Sequence, residues 1–419
     1  MAHYLRRVRS FGRDVRLFLI TPALIGFTVF GGITTVLFNL YLVRLGYGPE
    51  FIGLVNAISQ VALAFFALPA SLLGAHLGAR RAMIGGMSLA VLGNGLPVLA
   101  EFVPEGWRQG WILSTYLTGG LGLALYFVNS SPWVMSVTTP QERSHVFSIQ
   151  AALWPLAGFF GSLLGGLLPG LVAWQLDLSL ESPVVYRYPL LLAAGLLSIG
   201  VVALWLTRET APSSRRPAPG SLPLAAPVAV ILVMALVGML RASGEGAVRT
   251  FFNIYLDTEL GATPTQIGGF LAAGQLLSVP AALLTPFVAA RWGNDRAILA
   301  GTVALAVVML PLALVAQWLV AGLSFMAMLV VISVARPAYM VYSQEIVAPR
   351  WQGTMSAATT MAVGISWAVM AFGGGLVIAR IGYQALFFAG AILTALGALL
   401  FWRYFRTPRG EFAHKQAVV

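Results

Sequence analysis

The chain has 419 residues, 58% of them hydrophobic and only 9% charged, with a net charge of +11 and no cysteine. Soluble domains carry about 25% charged residues, so an ordinary globular protein is excluded, and without cysteine so are disulfides and thiolate metal sites. The excess of basic residues does not indicate nucleic acid, because it is spread over short segments between long apolar runs.

Those apolar runs are about 20 residues long and recur along the whole chain, enough to cross a bilayer as helices. The ~10-residue alternating pattern of a membrane barrel is absent. The first residues, "MAHYLRRVRSFGRDVR", make a basic arm that runs straight into a full-length span, so no cleavable leader is expected. Twelve spans are expected, at about 17–43, 51–75, 82–102, 109–137, 146–173, 187–207, 224–256, 266–290, 297–316, 322–347, 353–379 and 382–404. An even count puts both termini on one side. That side collects Arg6, Arg7, Arg9, Arg13, Arg16, Arg80, Arg81, Arg143, Arg208, Arg215, Arg216, Arg291, Arg296, Arg350, Arg403, Arg406, Arg409 and Lys415. The other side has only Arg44, Arg108, Arg187 and Arg380. The asymmetry places both termini in the cytoplasm of a plasma (inner) membrane protein. "RETAPSSRRPAPGSLP" at 208–223 is polar, Pro- and Ser-rich and basic, and is expected to be a flexible cytoplasmic linker between residues 1–207 and 224–419.

The two halves repeat one another. "FNLYLVRLGYGPEFIGLVNAISQ" (38–60) matches "FNIYLDTELGATPTQIGGFLAAGQ" (252–275), and "GARRAMIGG" (78–86) matches "GNDRAILAG" (293–301), at an offset of about 215 residues. Leu and Ala match often by chance in so apolar a chain; Asn, Tyr, Pro and Gln at a fixed offset do not. Two parallel six-span repeats joined by a cytoplasmic linker resemble the major facilitator superfamily. The resemblance implies an all-α, polytopic membrane protein of 12 transmembrane helices. It also implies secondary transport of a small molecule by alternating access about a site near the bilayer midplane, in a monomer without a cofactor. The family's loop motif after the second span is kept in Gly78, Arg80 and Arg81, and again in Arg291, Gly293 and Arg296. Its acidic position is Ala75 in the first copy and Ala290 in the second. In the fifth span "AGFFGSLLGG" (157–166) is similar to the glycine-rich motif associated with antiporters, with Ser162 where proline is usual. That similarity points to export, and close helix packing explains the same glycines.

Inside the seventh span Arg241, Glu245 and Arg249 stand four residues apart, on one inclined helix face that Asn253 continues. Burying an arginine at mid-membrane costs at least ~2.5–3.5 kcal/mol, so the stripe is expected to face the protein interior. Gly244 and Gly246 flank Glu245, and a bend or loosening of the helix is expected there. Two roles stand open. In one, Glu245 bridges Arg241 and Arg249 and only fixes the span. In the other, the stripe binds substrate. The equivalent first-half positions are Phe27, Gly31 and Thr35, so the scaffold does not require these charges. Arg336, before Pro337 in the tenth span, where a kink is expected, adds a third intramembrane cation. Three arginines against one carboxylate favour an anionic substrate as counter-ion. Glu101 and Glu345 are the rivals, with Glu345 expected at a cytoplasmic end near Arg350.

A neutral polar layer joins these charges: Asn39, Asn56, Gln60, Asn94, Asn129, Gln150, Asn253 and Gln275. Asn39 with Asn253 and Gln60 with Gln275 are repeat pairs, which favours interhelical hydrogen bonding. Asn94 and Asn129 have no twin and are cavity candidates, with Trp154, Tyr126, Trp133 and Tyr339 as aromatic lining. The substrate-contacting set is thus Arg241, Arg249, Arg336, Asn39, Gln60, Asn94, Asn129, Asn253, Gln275, Trp154 and Tyr339. Glu245 is the candidate proton carrier; protonating it requires its arginines to separate or a substrate to compete for them. His3, His76, His145 and His414 are expected in loops or tails, so no intramembrane metal site or His relay is expected. An enzyme lacks support, because no HExxH and no paired intramembrane acid occur. Two functions remain: a carrier of an amphipathic organic anion, proton-coupled and outward, or a multidrug or lipid exporter whose charges serve coupling.

Overall fold

The computed structural model describes residues 11–208 and 227–407. Arg6, Arg7, Arg9, Arg215, Arg216, Arg409, Lys415, His3 and His414, and all of the expected linker except Arg208, lie outside the described residues. Those described form helices in the order α1 (Arg13–Thr28), α2 (Ile33–Arg44), α3 (Pro49–Phe65), α4 (Ala67–Leu77), α5 (Ala79–Gly95), a 3-10 turn (Leu96–Phe102), α6 (Glu105–Val137), α7 (Pro140–Leu176) and α8 (Val184–Trp205). Then follow α9 (Val228–Thr258), α10 (Pro264–Trp292), α11 (Asn294–Leu314), α12 (Trp318–Glu345), a short 3-10 turn (Pro349–Trp351), α13 (Gln352–Arg380) and α14 (Tyr383–Phe405). Among the described residues, eleven helical segments are long and apolar enough to cross a membrane, and counting the bent pair α3–α4 as one span makes twelve. His76 and His145 fall within α4 and α7 and not in the loops where the sequence places them.

The chain divides into two compact units, Met1–Tyr47 with Val61–Arg215 and Thr263–Gln275, and Gly48–Gln60 with Arg216–Ala262 and Leu276–Val419. Each has the same internal packing. In the first unit α1 lies against α7 and α8, and α5 against α6 and α8. In the second α9 lies against α13 and α14, and α11 against α12 and α14. Those are equivalent spans of the repeat. The turns repeat as well: Gly46 and Gly261 have φ of 87° and 63°, and Gly78 and Gly293 have φ of 88° and 83°. All four sit at matching positions of the two copies, where a side chain is disfavoured by the left-handed backbone.

Small residues bring the helices of the first unit together. A Cβ at Gly93 would fall on the backbone of Gly119, and one at Gly86 would lie 2.6 Å from the Gly122 carbonyl, so α5 and α6 cross at backbone contact. Gly93→Ala should therefore lower stability by about 1–3 kcal/mol through overpacking. Gly85→Ala, whose nearest neighbour is the Leu125 Cδ2 at 4.0 Å, should be neutral. Thermal unfolding of the detergent-purified variants tests the contrast.

The first span departs from expectation. It is two helices, because α1 ends at Thr28 and α2 starts at Ile33, with Gly31 between them at φ 80°. The break exposes backbone groups that must find partners. Gly31 N–H donates to Thr35 Oγ1 at 2.9 Å, Trp154 Nε1 donates to the Phe30 carbonyl at 3.1 Å, and the Ser162 hydroxyl donates to the Gly31 carbonyl. The 157–166 glycines make room for this. A Cβ at Gly161 would strike the Phe27 carbonyl, and one at Gly165 would lie 3.1 Å from the Ile33 Cα. Helix packing thus accounts for that motif.

The second span bends by 52° between α3 and α4. In the second unit, by contrast, α9 runs unbroken through Gly244 and Gly246, where the sequence predicts loosening. These glycines admit neighbours. A Cβ at Gly244 would lie 2.5 Å from the Met309 Sδ and the Thr394 Oγ1, and one at Gly246 would lie 2.9 Å from the Trp367 Cδ1. Both glycines serve close packing on α11, α13 and α14. α12 continues through Pro337 as a single helical segment.

Candidate functional site

The second unit gathers the charges. Every Cβ on a helix tilts toward its N-terminus, so the side chain of Arg249 leans back over Glu245. Its Nε donates to Glu245 Oε1 at 2.8 Å. From α12, Arg336 Nη2 donates to the same oxygen at 2.9 Å and to Oε2 at 3.1 Å. The carboxylate is thus held by two guanidiniums on different helices. The side chain of Glu245 is 1% accessible, whereas those of Arg249 and Arg336 are 31% and 40% accessible. A carboxylate is sealed beneath two cations whose outer faces remain open.

Arg241 is placed differently. The expected bridge in which Glu245 joins Arg241 to Arg249 is not formed, because the partner across from Arg249 is Arg336. The same tilt carries Arg241 one turn toward the N-terminus of α9, where its guanidinium lies 5.0 Å over the ring of Tyr339. The Tyr339 hydroxyl donates to the Met234 carbonyl at 2.7 Å. Arg241 is 3% exposed, and its Nε and Nη1 have no hydrogen-bond partner. Arg241 and Glu245 are the only charged residues below 9% exposure among the described residues. Behind them, Ser366 Oγ donates to the Met239 carbonyl at 2.7 Å and lies 3.0 Å from Ser243 Oγ, tying α13 to α9.

Neither rival carboxylate joins the cluster. Glu101, in the first unit, pairs with Arg187 at 3.1 Å and accepts from the Tyr41 hydroxyl at 3.3 Å. Glu345 accepts from the Asn294 amide at 3.4 Å. Arg336 and Tyr339 stand three apart on α12, and they contact Glu245 and Arg241 of α9 respectively.

The neutral candidates make contacts within the protein. Asn94 donates to the Ala90 carbonyl at 2.8 Å, and Asn129 to the Ala70 and Leu125 carbonyls at 3.1 and 2.9 Å. Asn129 thereby fastens α4 to α6. Trp154 stacks on Phe127, with centroids 5.6 Å apart. Tyr126 meets the Thr21 hydroxyl at 2.5 Å, and Trp133 is fully buried beside Phe18. Gln275 belongs to the first unit, against Gly31, and Asn39 is buried in the same unit. In the second unit the Asn253 Oδ1 accepts from the Ile254 N–H at 3.0 Å, and Gln60 is half-buried. At the loop motif, Gly78 precedes α5, and Arg80 donates to the Trp205 carbonyl at 2.6 Å and to Thr207 Oγ1 at 3.2 Å. With alanine in the acidic position, Arg80 caps the C-terminal end of α8. Arg81, Arg291 and Arg296 are exposed, and Gly293 precedes α11.

Comparison with known proteins agrees with this architecture. The family model described as Major Facilitator Superfamily matches residues 18–371 and 234–417. A mutant form of the nucleoside transporter NupG superposes with a TM-score of 0.74 at 14% identity, covering 93% of this chain and all of its own. The inward-open xylose transporter XylE from E. coli gives 0.74 at 12% identity, covering 93% of this chain and 95% of that one. A D-xylose-proton symporter gives 0.72 at 15% identity, with 94% and 97% covered. At these identities the likeness shows the fold alone. No curated protein matches the sequence.

Proposed function

The chain belongs to the major facilitator superfamily, and from that premise we propose that it is a secondary transporter that moves a small amphipathic organic anion by alternating access. The observation that carries the reading is the arginine excess. Arg249 and Arg336 share the single carboxylate of Glu245 and keep open faces, and Arg241 lies buried without a carboxylate partner among the described residues. An anion of the substrate is the simplest partner for those faces. The halves 1–207 and 224–419 would be the two bodies of alternating access, with both termini cytoplasmic in the plasma membrane and the monomer as working unit. Glu245 is the residue through which proton coupling would run, since an arriving anion and the carboxylate compete for the same guanidiniums. The 157–166 glycines are used in packing, so outward transport draws no support from them.

Arg336→Ala tests the reading. A charge-assisted hydrogen bond is worth about 1.5–3 kcal/mol, so anion affinity should fall roughly 10- to 100-fold, read as loss of anion-induced thermal stabilisation and of uptake into proteoliposomes. If neutral and cationic dyes are carried by this variant and compete as before, the protein is a multidrug or lipid carrier and the anion reading is wrong.

A further inference from the structure

Resting on the anion reading above, we propose that Glu245 is a built-in stand-in for the substrate, that the substrate anion is a carboxylate, and that Arg241 receives Glu245 when the substrate displaces it. The seat that Glu245 occupies is shaped for a carboxylate. One oxygen accepts from both Arg249 Nε and Arg336 Nη2, and the other accepts from Arg336 Nη2. A carboxylate arriving from the open side of the two arginines replaces Glu245 one for one, and the charge between the guanidiniums is unchanged.

The displaced side chain must go somewhere, since an unpaired buried carboxylate costs several kcal/mol. Arg241 is the place prepared for it. It is buried, its Nε and Nη1 lack partners, and it lies one turn before Glu245 on the same helix. Helical side chains lean toward the N-terminus, so turning from Arg249 and Arg336 to Arg241 is a change in the direction the backbone favours. The Tyr339 ring holds the waiting guanidinium meanwhile, and its hydroxyl is anchored to the Met234 carbonyl. A resting bridge alone gives no reason to bury a third arginine with two idle nitrogens. A handover uses it. Binding then releases one carboxylate pairing and forms two: substrate with Arg249 and Arg336, and Glu245 with Arg241.

Affinities of the purified full chain for 1-naphthoate test this, with naphthalene-1-carboxamide and 1-naphthyl phosphate as comparators, measured by titration calorimetry. Glu245→Gln removes the competitor and should tighten naphthoate binding about 10-fold. Arg241→Gln should weaken it about 10-fold when introduced alone. Added to Glu245→Gln, it should weaken binding by less than about 3-fold, a non-additivity typical of contacting groups. Arg241→Lys should bind as the parent does and shows whether a folded, charged residue suffices. If the effects of Arg241→Gln and Glu245→Gln add, the handover is wrong. If the amide or the phosphate binds as tightly as naphthoate, the carboxylate assignment is wrong. Absence of naphthoate binding while another anion binds overturns this inference and leaves the anion reading standing; absence of binding by every anion overturns both.

Discussion

Glu245→Leu should destabilise the protein by about 3–5 kcal/mol, the largest effect of any single replacement in the second unit. The carboxylate accepts three hydrogen bonds from Arg249 and Arg336 and is itself shut off from solvent. Removing one partner of a buried ion pair leaves the other charge uncompensated, and it is this remainder that costs about 3–5 kcal/mol. Here two guanidiniums are left. Their partial exposure softens the loss, and their number adds to it. Replacing the whole set with apolar side chains of similar size is often neutral. Glu245→Leu combined with Arg249→Met and Arg336→Met should therefore recover most of the thermal stability while remaining unable to bind an anion. Arg241 makes no hydrogen bond through its Nε or Nη1 in the parent protein, so the triple variant breaks no hydrogen bond at those atoms. Unfolding midpoints of the single and triple variants, in detergent and again in lipid, give the answer. If the single variant is as stable as the parent, the ion pairs do not hold α9 to α12. If the triple variant is no better than the single, the arginines have a packing role beyond pairing.

Most of the scaffold was legible because each link is local. A span needs only about 20 apolar residues, and the expected limits of the fourth to twelfth spans agree with the helices to within a few residues at most ends. The repeat was legible in Asn, Tyr, Pro and Gln, and it reappears as glycines of positive φ at matching positions. Two features were not legible. Four-residue spacing offers Glu245 to Arg241 and Arg249 equally; the tilt of the Cβ bonds and the approach of α12 decide between them, and the second of these is a contact across 91 residues of chain. The break in the first span was hidden because "FGGITT" is apolar and small, and apolarity does not distinguish a helix from an interrupted one. Gly31 is the first-half equivalent of Glu245, so at one position one half breaks its helix and the other half carries a charge.

That break supplies the second large effect. Gly31→Ala and Gly46→Ala both put a side chain on a backbone of positive φ, at 80° and 87°, and each loses about 1 kcal/mol for that alone. Their surroundings then separate them. A Cβ at Gly46 meets nothing within 4 Å, whereas one at Gly31 would strike the Gln275 amide, and one at Gly32 would strike the carbonyl of Phe27. The Gln275 amide is the far end of a long side chain and can move; the Phe27 backbone is pinned by the packing of Gly161 beside it. The order of damage should be Gly46→Ala at about 1 kcal/mol, Gly31→Ala about 1–3 kcal/mol from strain and overpacking together, and Gly32→Ala the largest of the three. Gly32→Ala should also separate α1 from α2, because relieving its contact means moving backbone out of the turn that Ser162, Trp154 and Thr35 satisfy. Hydrogen exchange at residues 29–35, compared with α8 as a reference, reads this directly. Faster exchange confined to the break in Gly32→Ala, with Gly46→Ala unchanged there, is the expected result. Equal stability of the Gly32 and Gly46 variants would mean that the first span tolerates a continuous helix, and that the interruption is not required by its packing against α7.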